Sequence, residues 1–113
     1  GFEHKSLPYE ESARVPFMVS WPGRAPAGKV DRRHLVNSCV DLLPTLCDYA
    51  GITPPAGLPG RSVRPLVEKG RAPGWREELV IECDNSRTLR TRRYKYSVFA
   101  GGAPRELLLD LEK

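Results

Sequence analysis

Apolar and polar residues alternate most clearly in the carboxyl-terminal part of the chain. Tyr94, Tyr96 and Val98 occupy every second position there, and Lys95 and Ser97 stand between them. Successive side chains of a β-strand point to opposite faces, so this period predicts a strand with one apolar and one polar face. Together with two shorter apolar segments it predicts three strands: Glu78–Cys83, Thr88–Phe99 and Glu106–Leu111. They favour a small antiparallel sheet of three to four strands.

A helical period of apolar residues occurs between residues 41 and 50. Asp41 can accept hydrogen bonds from the free amides of a first helical turn, so we expect it to be the N-cap. Pro44 is tolerated that early because those amides have no partner within the helix. Gly51 can end the helix in a left-handed conformation. Helical spacing places five residues on one face that should pack against the sheet: Leu42, Leu43, Leu46, Cys47 and Ala50.

The segment Val15–Trp21 is almost wholly apolar, which predicts a strand that is covered on both faces. It stops at Pro22 and Gly23, and a second loop rich in proline and glycine follows Ile52. The overall fold class is therefore α+β, with a small antiparallel sheet, a packed helix and a separate buried strand.

Composition narrows the class of protein. A chain of 113 residues can hold one domain with a modest core, and 40% hydrophobic and 28% charged residues are typical of globular proteins. Its apolar segments all fall short of the ~20 residues of a membrane span. The three cysteines form no C-x-x-C pair and have no metal-ligand spacing with the two histidines. Neither a disulfide scaffold nor a zinc site is predicted.

A net charge of +4 is mild, but basic residues cluster late in the chain: Arg87, Arg90, Arg92, Arg93 and Lys95. Such a cluster can bind phosphate groups or can be the solvated face of a strand. Acidic residues precede and follow it, so the excess of positive charge is local and nucleic acid is not an expected partner.

Both ends of the chain suggest a piece of a longer protein. It opens on Gly1 with no initiator methionine and no apolar signal segment, and it ends at Lys113 without a polar tail. We therefore expect a fragment.

Three separated groups of residues carry a common signature. The first is Lys5 with Tyr9–Pro16; the second is Val40–Leu46 with Ala50–Ile52, Pro54, Pro55 and Gly60–Val63; the third is Arg90–Tyr96 with Glu106, Leu107 and Asp110–Glu112. In this order and spacing they resemble the C-terminal third of type I (formylglycine-dependent) sulfatases of the alkaline phosphatase superfamily. The resemblance covers essentially the whole chain.

The resemblance implies an intact enzyme that hydrolyses sulfate monoesters of small molecules or glycans. Such an enzyme uses a formylglycine and a calcium ion, and this chain is expected to contain no cofactor or metal ligand of its own. The resemblance also implies that Lys5 is a catalytic residue that contacts the sulfate oxygens. His4, next to it, is a weaker candidate for substrate binding.

Physical chemistry supports the role of Lys5 independently. A sulfate ester carries a spread negative charge, and fixed cations around it stabilise the charge that builds up as the S–O bond breaks. A lysine on a short loop beside a rigid element can be aimed at such a group.

The resemblance further implies the domain organisation. Residues 1–60 would be the tail end of the catalytic α/β domain, with Val15–Trp21 as a strand of its large sheet, and residues 61–113 would be a C-terminal subdomain. Without that large sheet, the strand is expected to be disordered or to pair between copies of the chain.

Cys83 begins a Cys-Asp-Asn-Ser-Arg sequence that is similar to the Cys-x-Pro-Ser-Arg signature of formylglycine formation. Asn85 replaces the proline, and the family places that signature far upstream of the lysine, so Cys83 is not the expected nucleophile. Asp-Asp pairs and Asp-His-Gly segments are also absent from the sequence. The isolated chain is therefore expected to be inactive.

Two alternatives remain open at this point. The chain could belong to a phosphonate or phosphate monoester hydrolase of the same superfamily, because the nucleophile lies outside it. It could also be a non-catalytic module that binds an anionic polymer through its arginine-rich strand. The sequence leaves the compartment open; the family resemblance is compatible with an extracytoplasmic location, because such enzymes are often secreted, periplasmic or lysosomal. The sulfated substrate itself is not indicated.

Overall fold

The computed structural model describes residues 8–113, and these contain three helices and four strands. One compact unit spans Phe17–Trp75 and the other consists of Gly1–Pro16 with Arg76–Lys113. The elements in chain order are α1 (Glu10–Ala13), α2 (Ser38–Ala50), α3 (Arg64–Lys69), β1 (Glu78–Cys83), β2 (Ser86–Thr91), β3 (Tyr94–Phe99) and β4 (Glu106–Asp110).

The four strands form one antiparallel sheet in the order β1-β2-β3-β4. The predicted sheet is therefore confirmed, and the predicted first and last strands match β1 and β4 closely. The predicted strand over residues 88–99 is instead a hairpin of β2 and β3. Its turn is closed by Thr91, whose Oγ1 accepts from the Tyr94 amide at 2.9 Å and donates to the Tyr94 carbonyl at 3.2 Å.

The two faces of the sheet differ from what their polarity suggests. Tyr94, Tyr96 and Val98 lie on the same face and are 43%, 37% and 43% exposed. The opposite face carries polar residues of β2 and β3 that are almost fully buried, among them Thr88 and Ser97. These two are partners in the strand register, and their hydroxyl oxygens lie 2.7 Å apart. Because these two hydroxyl groups satisfy each other, this pair can be buried at little cost.

Helix α2 begins three residues earlier than predicted. Asn37 is its N-cap, with the side chain accepting from the Cys39 amide at 3.0 Å, so the prediction that Asp41 caps the helix is wrong. Asp41 Oδ2 accepts instead from the Asn37 amide at 2.8 Å. The predicted C-terminal end is confirmed: Gly51 is left-handed with φ 70°, and the amide of Ile52 donates to the Cys47 carbonyl.

The buried residues of α2 include two polar ones, Asp41 and Thr45, beside Pro44 and Cys47. The leucines that were expected to pack, Leu42, Leu43 and Leu46, are 48%, 48% and 56% exposed, whereas Asp41 and Thr45 are 0% and 4% exposed. The prediction that these three leucines pack is therefore wrong, whereas Cys47 of the predicted face is buried. The reason lies in the partner of the helix, which is a backbone segment that needs hydrogen-bond acceptors.

That partner is the segment of residues 60–63. The Arg61 amide donates to Asp41 Oδ1 at 2.9 Å, and the Val63 amide donates to Thr45 Oγ1 at 3.0 Å. Gly60 passes so close to the helix that a Cβ atom there would lie 1.8 Å from the Val40 carbonyl oxygen. Only glycine fits at this position.

The apolar core of the Phe17–Trp75 unit is small. Val63, Leu66 and Trp75 are buried, and partly buried side chains pack against them: Phe17, Val36, Val67 and Ala72. The Trp75 indole nitrogen donates to the Leu35 carbonyl at 2.8 Å, which satisfies its polar group.

The segment Val15–Trp21, predicted to be a strand of a large sheet from another region of the protein, does not form a strand within residues 8–113. These residues form no helix or strand, and Val15, Met18 and Trp21 are 49%, 90% and 40% exposed. A strand needs a neighbour that accepts and donates its ladder hydrogen bonds, and within residues 8–113 no strand pairs with this segment. The helices of this described range are all too short or too polar to cross a membrane.

Candidate functional site

Lys5 and His4, the residues predicted to contact substrate, lie outside the described residues. Pro8 is buried, and Tyr9 leads into α1. The structure therefore shows how residues 8–13 are held.

One carboxylate holds α1 to the sheet. Arg90 of β2 binds Glu10 with two parallel hydrogen bonds, Nε to Oε1 at 3.1 Å and Nη2 to Oε2 at 3.0 Å. Lys95 of β3 donates from Nζ to Glu10 Oε1 at 3.1 Å. We call these three residues, Glu10, Arg90 and Lys95, the Glu10 clamp.

The register of the sheet explains why these residues meet. Arg90 and Lys95 are direct partners on β2 and β3, so two cations face each other on the same side of the sheet. Like charges in this arrangement repel one another. Glu10, which is 80 residues from Arg90 in the sequence, places its carboxylate on both cations and compensates that repulsion.

Burial makes this compensation necessary. The side chain of Lys95 is 2% exposed, and those of Arg90 and Glu10 are 17% and 25% exposed. The hydrogen bond from Arg90 lowers the pKa of the Glu10 carboxyl below its ordinary value. Burial opposes this effect, and the contact from Lys95 adds to it. Glu10 is therefore ionised at neutral pH and balances part of the buried positive charge.

Two other members of the basic cluster are also paired. Arg87 lies 3.0 Å from Glu82, and Arg93 lies 3.0 Å from Asp110. The arginine-rich strand therefore does not present a bare positive surface, which weakens its interpretation as a binding site for an anionic polymer.

Residues 8–113 contain no cluster of side chains of the kind that binds a metal ion. Within residues 8–113, no three His, Cys, Asp or Glu side chains come together in a way that could hold a metal ion. The residues of this range therefore do not fit a calcium site. Cys83 ends β1 as a free thiol opposite Ser86 in the strand register.

The sequence indicated Glu10 only as part of the Tyr9–Pro16 group, and Arg90 and Lys95 only as members of a basic cluster. Sequence reasoning missed that the three form one site. A usable signal was present: once residues 86–99 are treated as a hairpin, Arg90 and Lys95 become cross-strand partners. Two facing cations on a buried side require an anion from elsewhere.

The chain is similar to known sulfatases along its whole length. The family described as "N-sulphoglucosamine sulphohydrolase, C-terminal" matches residues 1–113. A Delta 4,5-hexuronate-2-O-sulfatase of Bacteroides thetaiotaomicron is 35% identical, over 93% of this chain and 23% of that protein. An arylsulfatase of Clostridium perfringens is 35% identical, over 96% of this chain and 23% of that protein. The chain thus spans about a quarter of the length of these relatives.

Solved structures agree with this similarity. A 2-O GAG sulfatase aligns with a TM-score of 0.63 and 33% identity, over 74% of this chain and 20% of that one. A phosphonate monoester hydrolase of Agrobacterium radiobacter aligns with a TM-score of 0.54 and 32% identity, over 64% of this chain and 18% of that one.

Proposed function

Because the chain belongs to the family of the C-terminal region of N-sulphoglucosamine sulphohydrolase, we propose that it is the C-terminal part of an enzyme that hydrolyses sulfate monoesters. The observation that carries the proposal is the family match over residues 1–113. The sulfatases of Bacteroides thetaiotaomicron and Clostridium perfringens support it. The substrate class that follows is a sulfated small molecule or glycan.

Within that enzyme, Lys5 contacts the sulfate group. The support is the sequence order in which Lys5 precedes the Tyr-Glu-Glu turn, together with the anchoring of that turn by Glu10. A lysine ammonium placed against the sulfate oxygens stabilises the negative charge that grows as the ester bond breaks. His4 is a secondary candidate for the same contact.

The remaining catalytic parts are expected outside residues 8–113. We assign the formylglycine nucleophile and the calcium ion to other regions of the enzyme, because no metal-binding group occurs in the described range. When bound, calcium would supply Lewis-acid stabilisation of the sulfate oxygens. The division into a catalytic part up to residue 60 and a subdomain over 61–113 stays a prediction.

A second candidate is phosphonate or phosphate monoester hydrolysis. The specific observation in its favour is the structural similarity to a phosphonate monoester hydrolase. The TM-score of 0.54 is lower than the 0.63 for the 2-O GAG sulfatase, so sulfate ester hydrolysis is the better supported reaction.

Two further parts of the proposal concern location and association. An extracytoplasmic location is supported by a relative of Drosophila melanogaster that is named an extracellular sulfatase.

Self-association of the isolated chain through residues 15–21 is supported by the exposure of Met18 and Trp21. Sedimentation of the chain would detect it as a dimer, and a purely monomeric chain would contradict it.

The upstream coding sequence tests the reaction class most cheaply. Cys-x-Pro-Ser-Arg, together with an early acidic pair and an Asp-rich segment before Gly1, would support a formylglycine sulfatase. A lone Thr or Ser in place of that signature would indicate phosphoryl chemistry instead. An open reading frame that starts at Gly1 would contradict the enzyme and leave a module whose binding should be assayed.

The isolated 113-residue chain should not turn over aryl sulfates. One lysine without a nucleophile and a metal gives no preorganised site, and the expected rate is that of the buffer alone. Turnover by the purified chain that persists in a chelator would contradict the assignment of the nucleophile to another region.

A further inference from the structure

We propose that Arg90 and Lys95 are positioning residues for Lys5, acting through Glu10. This inference rests on the proposed sulfate contact of Lys5. It gives the C-terminal sheet a role in catalysis, because the sheet holds Glu10, which follows Lys5 by five residues in the sequence.

The first argument is that α1 cannot hold itself in place. It has four residues, none of them buried, and its N-cap Tyr9 makes no side-chain capping bond. Helices this short are not stable in isolation, so tertiary contacts must orient it. None of its own residues is buried, so the ion pairs of Glu10, together with the buried Pro8 before the helix, are contacts that can do so.

The second argument concerns geometry. A lysine supplies a point charge with rotational freedom, whereas a guanidinium that binds both carboxylate oxygens also fixes the direction of the carboxylate. Arg90 makes this two-point contact. Arg90 is itself held by a hydrogen bond from Nη1 to the Thr91 carbonyl at 3.1 Å, so the direction is transmitted from the β2 backbone.

The third argument is proximity along the chain. Lys5 precedes Glu10 by five residues, and five residues span at most about 17 Å even when fully extended. A fixed Glu10 therefore acts as an anchor from which Lys5 can lie no more than about 17 Å away. Because displacing a catalytic group by about 1 Å can reduce rate by roughly a hundredfold, losing this anchor is expected to reduce the rate.

Arg90 and Lys95 themselves are unsuited to bind substrate. Both direct their charge to one carboxylate, and Lys95 is 2% exposed. Because Glu10 is the anion that both cations bind, their effect on the reaction must pass through it.

The test uses the full-length enzyme that contains this chain and measures inhibition by inorganic sulfate, KM and kcat for an aryl sulfate, and melting temperature. The decisive variant is the double substitution Glu10→Ala with Lys95→Met. It removes the tether and also one of the two facing cations, so the like-charge repulsion that Glu10→Ala alone would create is relieved.

We expect Glu10→Ala to lower the melting temperature and to weaken sulfate inhibition by about tenfold. The double variant should recover most of the melting temperature while sulfate inhibition stays about tenfold weaker. Recovery of both together would overturn the proposal, because the clamp would then act on stability alone.

A milder variant covers the case in which Glu10→Ala does not fold. Arg90→Lys keeps the charge but loses the two-point contact, and it should weaken sulfate inhibition with little change in melting temperature. Unchanged inhibition would overturn the proposal. Arg87→Gln is the matched control, since Arg87 is on the same strand, pairs with exposed Glu82 and should leave every readout unchanged.

Lys5→Ala separates this inference from the function on which it rests. If Lys5→Ala weakens sulfate inhibition and the Glu10 and Arg90 variants do not, only the positioning role fails. If Lys5→Ala leaves inhibition unchanged, the sulfate contact fails and the positioning role fails with it.

Discussion

Helix α2 and the β2–β3 hairpin both bury a polar face, but they satisfy it in different ways. On α2, Asp41 and Thr45 accept hydrogen bonds from backbone amides of residues 61 and 63, about twenty residues away. On the hairpin, Arg90 and Lys95 depend on the single carboxylate of Glu10, at a separation of 80 residues or more.

This difference separates two kinds of polar core. Backbone amides are present whatever the sequence, so the α2 contact needs only acceptors at a helical spacing and a glycine that allows close approach. The hairpin contact requires one particular side chain, and removing that side chain leaves charges rather than neutral groups unsatisfied. The first contact should therefore be broken by a steric clash or by loss of a hydrogen-bond acceptor, and the second by loss of the charge on Glu10.

Gly60→Ala should have the largest effect on stability. Its Cβ would lie 1.8 Å from the Val40 carbonyl oxygen, and both partners are backbone, so the 60–63 segment must move away from α2. We expect a loss of about 3 kcal/mol in the free energy of unfolding, measured by urea denaturation. Gly101→Ala is the control, since nothing lies within 4 Å of its Cβ; equal effects of the two variants would refute the close contact.

Thr45→Val should have a smaller effect, because it keeps the shape of the side chain and removes only the hydroxyl. The buried Val63 amide then loses the acceptor that lies 3.0 Å away. The expected loss is about 2 kcal/mol in the same measurement. Thr45→Ser retains the hydroxyl and should lie closer to the wild type, whereas a Ser variant as unstable as the Val variant would argue that packing, not the hydrogen bond, matters here.

Glu10→Gln should show its effect as a dependence on pH. The folded-state pKa of Glu10 is lowered, so its stabilising contribution is fully present above the ordinary glutamate pKa and is lost as pH falls through the folded value. The wild type should therefore be more stable than the variant at pH 7, and the difference should shrink on acidification below about pH 4.3. A difference that stays constant down to about pH 3 would contradict the ionised clamp.

Much of the fold follows from local pattern. The strands at 78–83 and 106–110, and the end of α2 at Gly51, were predictable because turn residues and period are local properties. The faces were not predictable in the same way. An exposed Leu46 and a buried Lys95 depend on which segments approach them, and hydrophobicity alone assigned both to the wrong side.

Within the candidate site, Lys5 is indicated only by family resemblance, through the residues that follow it, and its role stays a prediction. The role of Glu10 depends on the pairing of Arg90 with Lys95, which the sequence indicates only if residues 86–99 are treated as a hairpin. For Val15–Trp21, the composition indicates a strand, but no strand among residues 8–113 pairs with this segment. Composition alone therefore does not show whether a segment finds a pairing partner.

The most direct test of the account is sulfate binding by Lys5 in the full-length enzyme. Lys5→Ala should reduce kcat/KM for an aryl sulfate by about a hundredfold and weaken inhibition by inorganic sulfate, with the melting temperature unchanged. Lys29→Ala, at an exposed loop lysine, should leave all three unchanged. If the Lys5 variant retains wild-type kcat/KM and sulfate inhibition, Lys5 is not a sulfate ligand and the central claim is wrong.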